Sequence, residues 1–205
     1  MSRLKILVLV IALLGIFMGV TGMSDAFTIM GDKAIKLEET KVGSLSIGDL
    51  AKGEIDGALD EIAVEKTSRS YGFIPMGSSE TPYYLVHIND HYSVLSAGDK
   101  DIQNKINSLA ARTWEFFEGN VESIGDGVAV EAKVIAMPEK VKGFLKDYCN
   151  ELEFTDADYA ELVDDSVVIN VVQYNTMKII PFVGLGVDVL ALVGFIIMLI
   201  KSKKN

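Results

Sequence analysis

The sequence predicts an α+β domain on a mainly antiparallel sheet with two helices, flanked by N- and C-terminal transmembrane helices. Three observations lead there. Two long apolar runs stand at the ends of the chain, each with basic residues on its outer side. Between them, several short segments alternate apolar and polar residues with the period of a strand. Two other segments there carry apolar residues at helical spacing.

The first run covers residues 6–22, behind Arg3 and Lys5, and the second covers 179–200, ahead of Lys201, Lys203 and Lys204. At 1.5 Å per residue, about 17 to 22 apolar residues suffice to cross the hydrocarbon core as helices. Lys and Arg next to a span stay cytoplasmic, so the tips 1–5 and 201–205 are expected in the cytoplasm. Residues 24–178 are then expected on the extracytoplasmic side of the cell membrane. Ser24-Asp25-Ala26 offers small residues at a signal-cleavage spacing, with Val20-Thr21-Gly22 a poorer option. The apolar stretch is longer than a usual signal core, so it reads as a retained anchor with the same orientation.

Residues 23–50 read as a linker with one strand, Ala34–Leu37, ahead of a domain over 51–178. Ile55, Gly57 and Leu59 alternate in one phase and Ile62 and Val64 in the other, which places a β-bulge near Asp60-Glu61. Residues 67–80 hold Gly, Ser and Pro and read as a loop. Tyr83–Ile88 and Tyr92–Leu95 read as strands around an Asn89-Asp90 turn. Ile102, Ile106, Leu109, Thr113 and Phe116/Phe117 recur at helical spacing, with Asp99 and Asp101 at the start and Gly119 as the stop. Val128–Ala136 alternates as a strand. Pro138 opens a second helix with Val141, Phe144/Leu145, Tyr148 and Leu152 on its apolar face. Thr155 and Asp158 form a capping arrangement for a short helix to about Val163, and Val167–Val172 is a last strand. The bulged long strand, the meander and the helix before the fourth strand make an OB-like barrel the alternative architecture.

Removing the five terminal basic residues and Asp188 leaves 14 basic against 28 acidic residues between the runs, a formal charge of about −14. Phosphate recognition needs the opposite sign, so nucleic acid is not expected as a partner. Anionic lipid heads are disfavoured for the same reason. Cys149 is the single cysteine, which excludes an intramolecular disulfide and a thiolate zinc site. Together with the absence of an Asn-x-Ser/Thr acceptor, this leans towards a bacterial surface.

The two histidines, His87 and His91, stand in His-Ile-Asn-Asp-His, close to a zinc-hydrolase pattern with Asp in place of Glu. That chemistry needs both imidazoles on one helical turn, and strand residues four apart are about 13 Å apart. A pair of surface histidines at a hairpin is the expectation, with no metal and no cofactor. Asp156, Asp158, Glu161, Asp164 and Asp165 are an acidic cluster, but the EF-hand spacing fails at Ala160 and Glu161. Asp126, between Gly125 and Gly127, reads as a turn residue. No nucleophile elbow, Ser-x-x-Lys or phosphate loop is present, and Cys149 on a helical face reads as buried. Phe116 and Phe117 are expected in the core, with Trp114, to one side of them, at the core edge and the better candidate of the three for exposure.

Asp188 lies about nine residues into the second run, roughly 13 Å deep, where a carboxylate is costly. By depth it should face the Ala12 region of the first run. Gly15-x-x-x-Gly19 there, and Gly184, Gly186 and Gly194 on the second run, allow close helix packing. Either the carboxyl is neutral and bonded within the pair, or a partner supplies a donor. Asp188, Gly15 and Gly19 are therefore the candidate intramembrane contact.

The layout, with the stretches Gly53-Glu54-Ile55-Asp56-Gly57 and Val134-Ile135-Ala136-Met137-Pro138, resembles uncharacterised two-pass membrane proteins of Gram-positive bacteria with one external domain. That resemblance implies topology and no activity. The layout also resembles the membrane half of certain two-span mitochondrial ubiquitin ligases, whose ring of Cys and His ligands has no counterpart here. The expectation is a membrane-anchored binding or scaffolding protein without evident catalytic chemistry, held by the bilayer and working with a protein partner or as a homo-oligomer. The alternatives are a membrane-bound hydrolase using the His87/His91 region and an accessory transport subunit using Asp188.

Overall fold

The computed structural model describes residues 3–71 and 74–204. In chain order these form α1 (Arg3–Met30), β1 (Ile35–Lys36), a 3-10 turn (Leu37–Glu39), β2 (Leu50–Ile55), β3 (Gly57–Tyr71), β4 (Ile74–Ile88), β5 (His91–Ser96), α2 (Lys100–Phe117), β6 (Val128–Ala136), α3 (Glu139–Glu151), α4 (Asp156–Leu162), β7 (Val163–Val171) and α5 (Tyr174–Lys204). The chain divides into two compact units: the two terminal helices, and the domain Ala34–Val172.

In the helical unit, α1 and α5 each contain a stretch long and apolar enough to cross a membrane, Val10–Met30 and Tyr174–Ile197. α1 continues well past residue 22, because nothing before Gly31 interrupts it. Its stop is a left-handed turn at Asp32, φ 52°, where the Lys33 N–H returns to the Thr28 carbonyl at 3.0 Å. Ser24-Asp25-Ala26 therefore lies within the helix, and Ala26 is fully buried.

The domain holds one seven-stranded sheet in the order β1-β2-β6-β7-β5-β4-β3. β1·β2 and β5·β7 are parallel and the other four pairings antiparallel, so the sheet is mixed. A parallel neighbour needs a crossover connection, and the segments between β5 and β7 provide one. β2 and β3 are consecutive pieces of one run, parted only by Asp56, yet β2 pairs with β6 and β3 forms the opposite edge beside β4. The β3 register slips between Ala58 and Glu61 and again before Ala63, where the sequence alternation changes phase.

Both faces of the sheet are covered. Ile106 and Leu109 of α2 pack with Ile55, Ala58, Tyr84, Val86, Leu95 and Ile169 in one core. Val141, Leu145 and Cys149 of α3 pack with Leu59, Tyr83, Leu85, Val94 and Val168 in a second. Alternate β4 residues feed the two cores, as expected for a strand buried on both faces. Fully burying one such large side chain contributes about 1.5–3 kcal/mol.

Residues 67–80, expected as a loop, instead continue β3 and β4 as a two-stranded ribbon, with Thr67 opposite Ser79 and Ser68 opposite Ser78; residues 72 and 73 of that call lie outside the described residues. A ribbon beyond the core needs only backbone pairing, so its sequence carries no apolar alternation to betray it. The expected strand at Ala34–Leu37 shrinks to the two residues of β1, and Leu37 turns into the core. On α3 the buried line is Val141, Leu145 and Cys149, while Phe144 is exposed. β7 begins at Val163, ahead of the expected Val167.

The helix ends are chemically specified. The Asp99 carboxylate accepts from the N–H groups of Asp101 and Ile102 at 2.9 and 3.2 Å, and Gly119 closes α2 at φ 75°. At α4, Thr155 and Asp158 exchange both bonds of a capping box. The Thr155 side chain, then its backbone N–H, hold the Asp158 carboxyl below its ordinary value of 3.8. A depressed folded-state value means that the cap's contribution is present above the unfolded value and is lost as pH falls through the folded one. In thermal melts of the full chain in mild detergent, Asp158→Ala should lower the midpoint at pH 7. That difference should shrink as the pH falls below 3.8.

Candidate functional site

Within the helical unit, the glycines of α1 form one line against α5. A Cβ on Gly15 would collide with the Asp188 carboxylate and stand 3.0 Å from the Gly184 carbonyl. A Cβ on Gly19 would stand 3.0 Å from the Leu185 side chain, and one on Gly22 would stand 2.7 Å from the Pro181 ring. Rising numbers on α1 meet falling numbers on α5, so the helices run antiparallel. The residues 15, 19 and 22 and their counterparts 188, 185 and 181 repeat at three and four, the spacing of a helix-packing seam.

Asp188 is only 4% exposed, and neither carboxylate oxygen has a hydrogen-bond partner among the described residues. An unsatisfied carboxyl in such a place costs several kcal/mol. It meets Gly15, one turn from the Ala12 region expected from depth. The shift follows from α1 and α5 both extending beyond their apolar runs. Gly184 is on the seam, whereas a Cβ on Gly186 or Gly194 would meet nothing within 4 Å, so those two glycines do not serve the packing expected of them.

The domain carries a second candidate site, at the β3 edge. Gly57, Ala58 and Leu59 of β3, His87 of β4, Tyr92 of β5, Thr113, Phe116 and Phe117 of α2, and Ile124 line a cavity of about 200 Å³. α2 is pinned to this edge twice. The Thr113 hydroxyl accepts from the Ala58 N–H at 3.3 Å, and the Trp114 Nε1–H donates to the Leu59 carbonyl at 2.9 Å. These two bonds bring Trp114 inward and leave Phe116 40% and Phe117 54% exposed. This reverses the expected core placement of the two phenylalanines. Trp114 and Phe117 meet edge to face at 5.9 Å.

The His87 Nδ1 lies 2.8 Å from an Asp56 oxygen, and the other Asp56 oxygen accepts from the Asn89 N–H at 3.0 Å. A carboxylate only accepts, so it holds Nδ1 as the donor and leaves Nε2 of neutral His87 as an acceptor. His87 also meets Tyr92 edge to face at 5.1 Å.

The second histidine is elsewhere. His87 is opposite Tyr92 in the hairpin and Ile88 is opposite His91, so the imidazoles leave the sheet on opposite faces. His91 is 2% exposed and its Nδ1 has no hydrogen-bond partner among the described residues; Asp90 stands 3.7 Å away. The expected pair of surface histidines is thus one rim histidine and one buried one.

The acidic cluster also separates into distinct roles. Asp158 caps α4. Asp164 is buried and accepts from the N–H groups of Gly43 and Ser166, at 3.0 and 3.1 Å, and from the Ser166 hydroxyl at 2.5 Å. Asp165 pairs with Lys142 at 3.0 Å and accepts from the Tyr159 hydroxyl. Among the described residues, no group of three or more His, Cys, Asp or Glu side chains is placed to hold a metal ion. Asp126 offers its carbonyl to Arg112. Burial pushes the Cys149 thiol up to about 11, which keeps it a packing group at neutral pH.

The link between Asp56 and His87 had no signal in sequence, since 31 residues separate the partners. The Gly15–Asp188 contact did have one, in a small residue and a buried acid at matching depth. It yields a prediction. Gly15→Val should overpack the seam by about 1–3 kcal/mol and lower the helical melting midpoint in mild detergent, while Gly186→Val should leave it unchanged.

No protein-family model matches this chain, and no curated protein matches it. Its function therefore rests on the geometry of its own residues.

Proposed function

We propose that this protein is a membrane-anchored extracytoplasmic binding protein, a subunit or partner of an envelope complex, with both tips in the cytoplasm. Support for insertion comes from side chains such as Leu14, Phe17, Val20 and Leu190, which are 58–74% exposed on helices that are apolar all round. In lipid those side chains are solvated, and the Lys and Arg residues at the tips set the orientation.

The observation that carries the reading is the length of the two connectors. Only Gly31–Ala34 separates α1 from β1, and only Val172 and Gln173 separate β7 from α5. Fully extended, they reach about 14 and 7 Å. Both ends of the domain are thereby tied to the anchor helices through a few residues. This suits a fixed subunit, as does the resemblance to two-pass proteins with one external domain.

The test is a pull-down of the full chain from its native membrane in mild detergent. A stoichiometric membrane-associated partner is expected, and Asp188→Asn should retain it, because Asp188 faces α1. A wild-type sample without any partner would count against the reading.

A second reading has one observation behind it. The unpartnered Asp188 carboxyl inside an apolar helix pair is where an accessory transport subunit would handle an ion or proton. It predicts that Asp188→Asn abolishes flux in reconstituted vesicles while the protein stays folded. An unchanged flux sinks it.

A further inference from the structure

We propose that the β3-edge cavity is a docking socket for one large apolar or aromatic side chain of a basic protein segment. This deepens the anchored-subunit reading and rests on it. The walls are apolar, formed by Leu59, Tyr92, Phe116, Phe117 and Ile124, and a volume of about 200 Å³ suits one large side chain rather than a nucleotide or a lipid tail.

Two exposed phenylalanines on an otherwise acidic domain are the kind of aromatic anchor that interfaces bury. The acidic sequence around the lining residues points to the sign of the partner. Asp56, Asp60, Glu61, Glu115, Glu118 and Glu122 all stand within two residues of a lining residue, and all are exposed. The nearby cation, Arg112, is turned onto the Asp126 carbonyl at 2.9 Å. A partner with Lys or Arg beside its anchor gains from this rim, whereas an acidic segment or an anionic lipid surface is repelled. His87 adds one polar contact. Its Nδ1 is committed to Asp56, so Nε2 is free to accept from a donor on the entering segment.

The single tryptophan, Trp114, reports on occupancy because it meets the cavity-lining Phe117 edge to face. The full chain in mild detergent would be titrated with a synthetic Lys-Arg-Phe-Arg-Lys peptide while Trp114 emission is followed, with calorimetry as a second readout. A saturable change is expected that weakens as salt rises. Peptides with Glu at the flanking positions, or Ala in place of Phe, should bind at least about tenfold more weakly. Phe117→Ser and the double change Glu115→Lys with Glu118→Lys alter exposed side chains, and each should weaken binding by a similar factor.

Equal binding of the Ala peptide would reduce the effect to bulk charge and overturn the socket. So would binding unchanged by Phe117→Ser, or a Trp114 response to phosphatidylcholine vesicles with none to the peptide. Absence of peptide binding beside a partner retained in the pull-down overturns the socket alone. Absence of any partner in the pull-down sinks the anchored-subunit reading itself.

Discussion

The arrangement of the domain Ala34–Val172 depends on how α2 is seated. Ile106 and Leu109, fully buried, fix one face of the helix on the sheet, and the Asp99 cap fixes where the helix starts. With start and face both set, the last two turns have no freedom. Thr113 and Trp114 reach the β3 backbone, and the next residues, Phe116 and Phe117, are carried past the sheet edge into the open. The aromatic cavity is thus a consequence of helix length and register. A helix one turn shorter would end before Phe116 and leave the β3 edge uncovered.

The same edge explains why Asp56 matters. It is the one residue between β2 and β3, at the point where a single run leaves one pairing and joins another. Its side chain satisfies both His87 and the Asn89 N–H, so the crossing point, the rim histidine and the β4–β5 turn are tied together. The surrounding charge is exposed and contributes little to stability, since surface ion pairs are worth about 0–1 kcal/mol.

In the helical unit the governing constraint is close approach. The Gly15, Gly19 and Gly22 line lets the two backbones touch, which is the contact a helix pair depends on wherever apolar surroundings give no hydrophobic drive. Gly15 has a second role, because it leaves the space that the Asp188 carboxyl fills. A small residue on one helix and an acid on the other form a matched pair, and neither can be changed in size alone.

Much of this was legible in the sequence, and the exceptions share a cause. Local chemistry determined the terminal helices, the start of α2 at Asp99, the cap at Thr155, the strand at Val128–Ala136, the slip near Glu61 and the part of the small-residue seam at Gly15, Gly19 and Gly184. All but the seam depend on residues a few positions apart, and the seam is read from small residues and an acid at similar depth on two helices. Only the tertiary structure decided the ribbon through 67–80, the mixed pairing of the sheet, the opposite faces taken by His87 and His91, the exposure of Phe116 and Phe117, and the Asp56–His87 bond. Those outcomes depend on which strands become neighbours and where a helix crosses an edge. Contacts across long sequence separations set them, and they leave no periodicity in the chain itself.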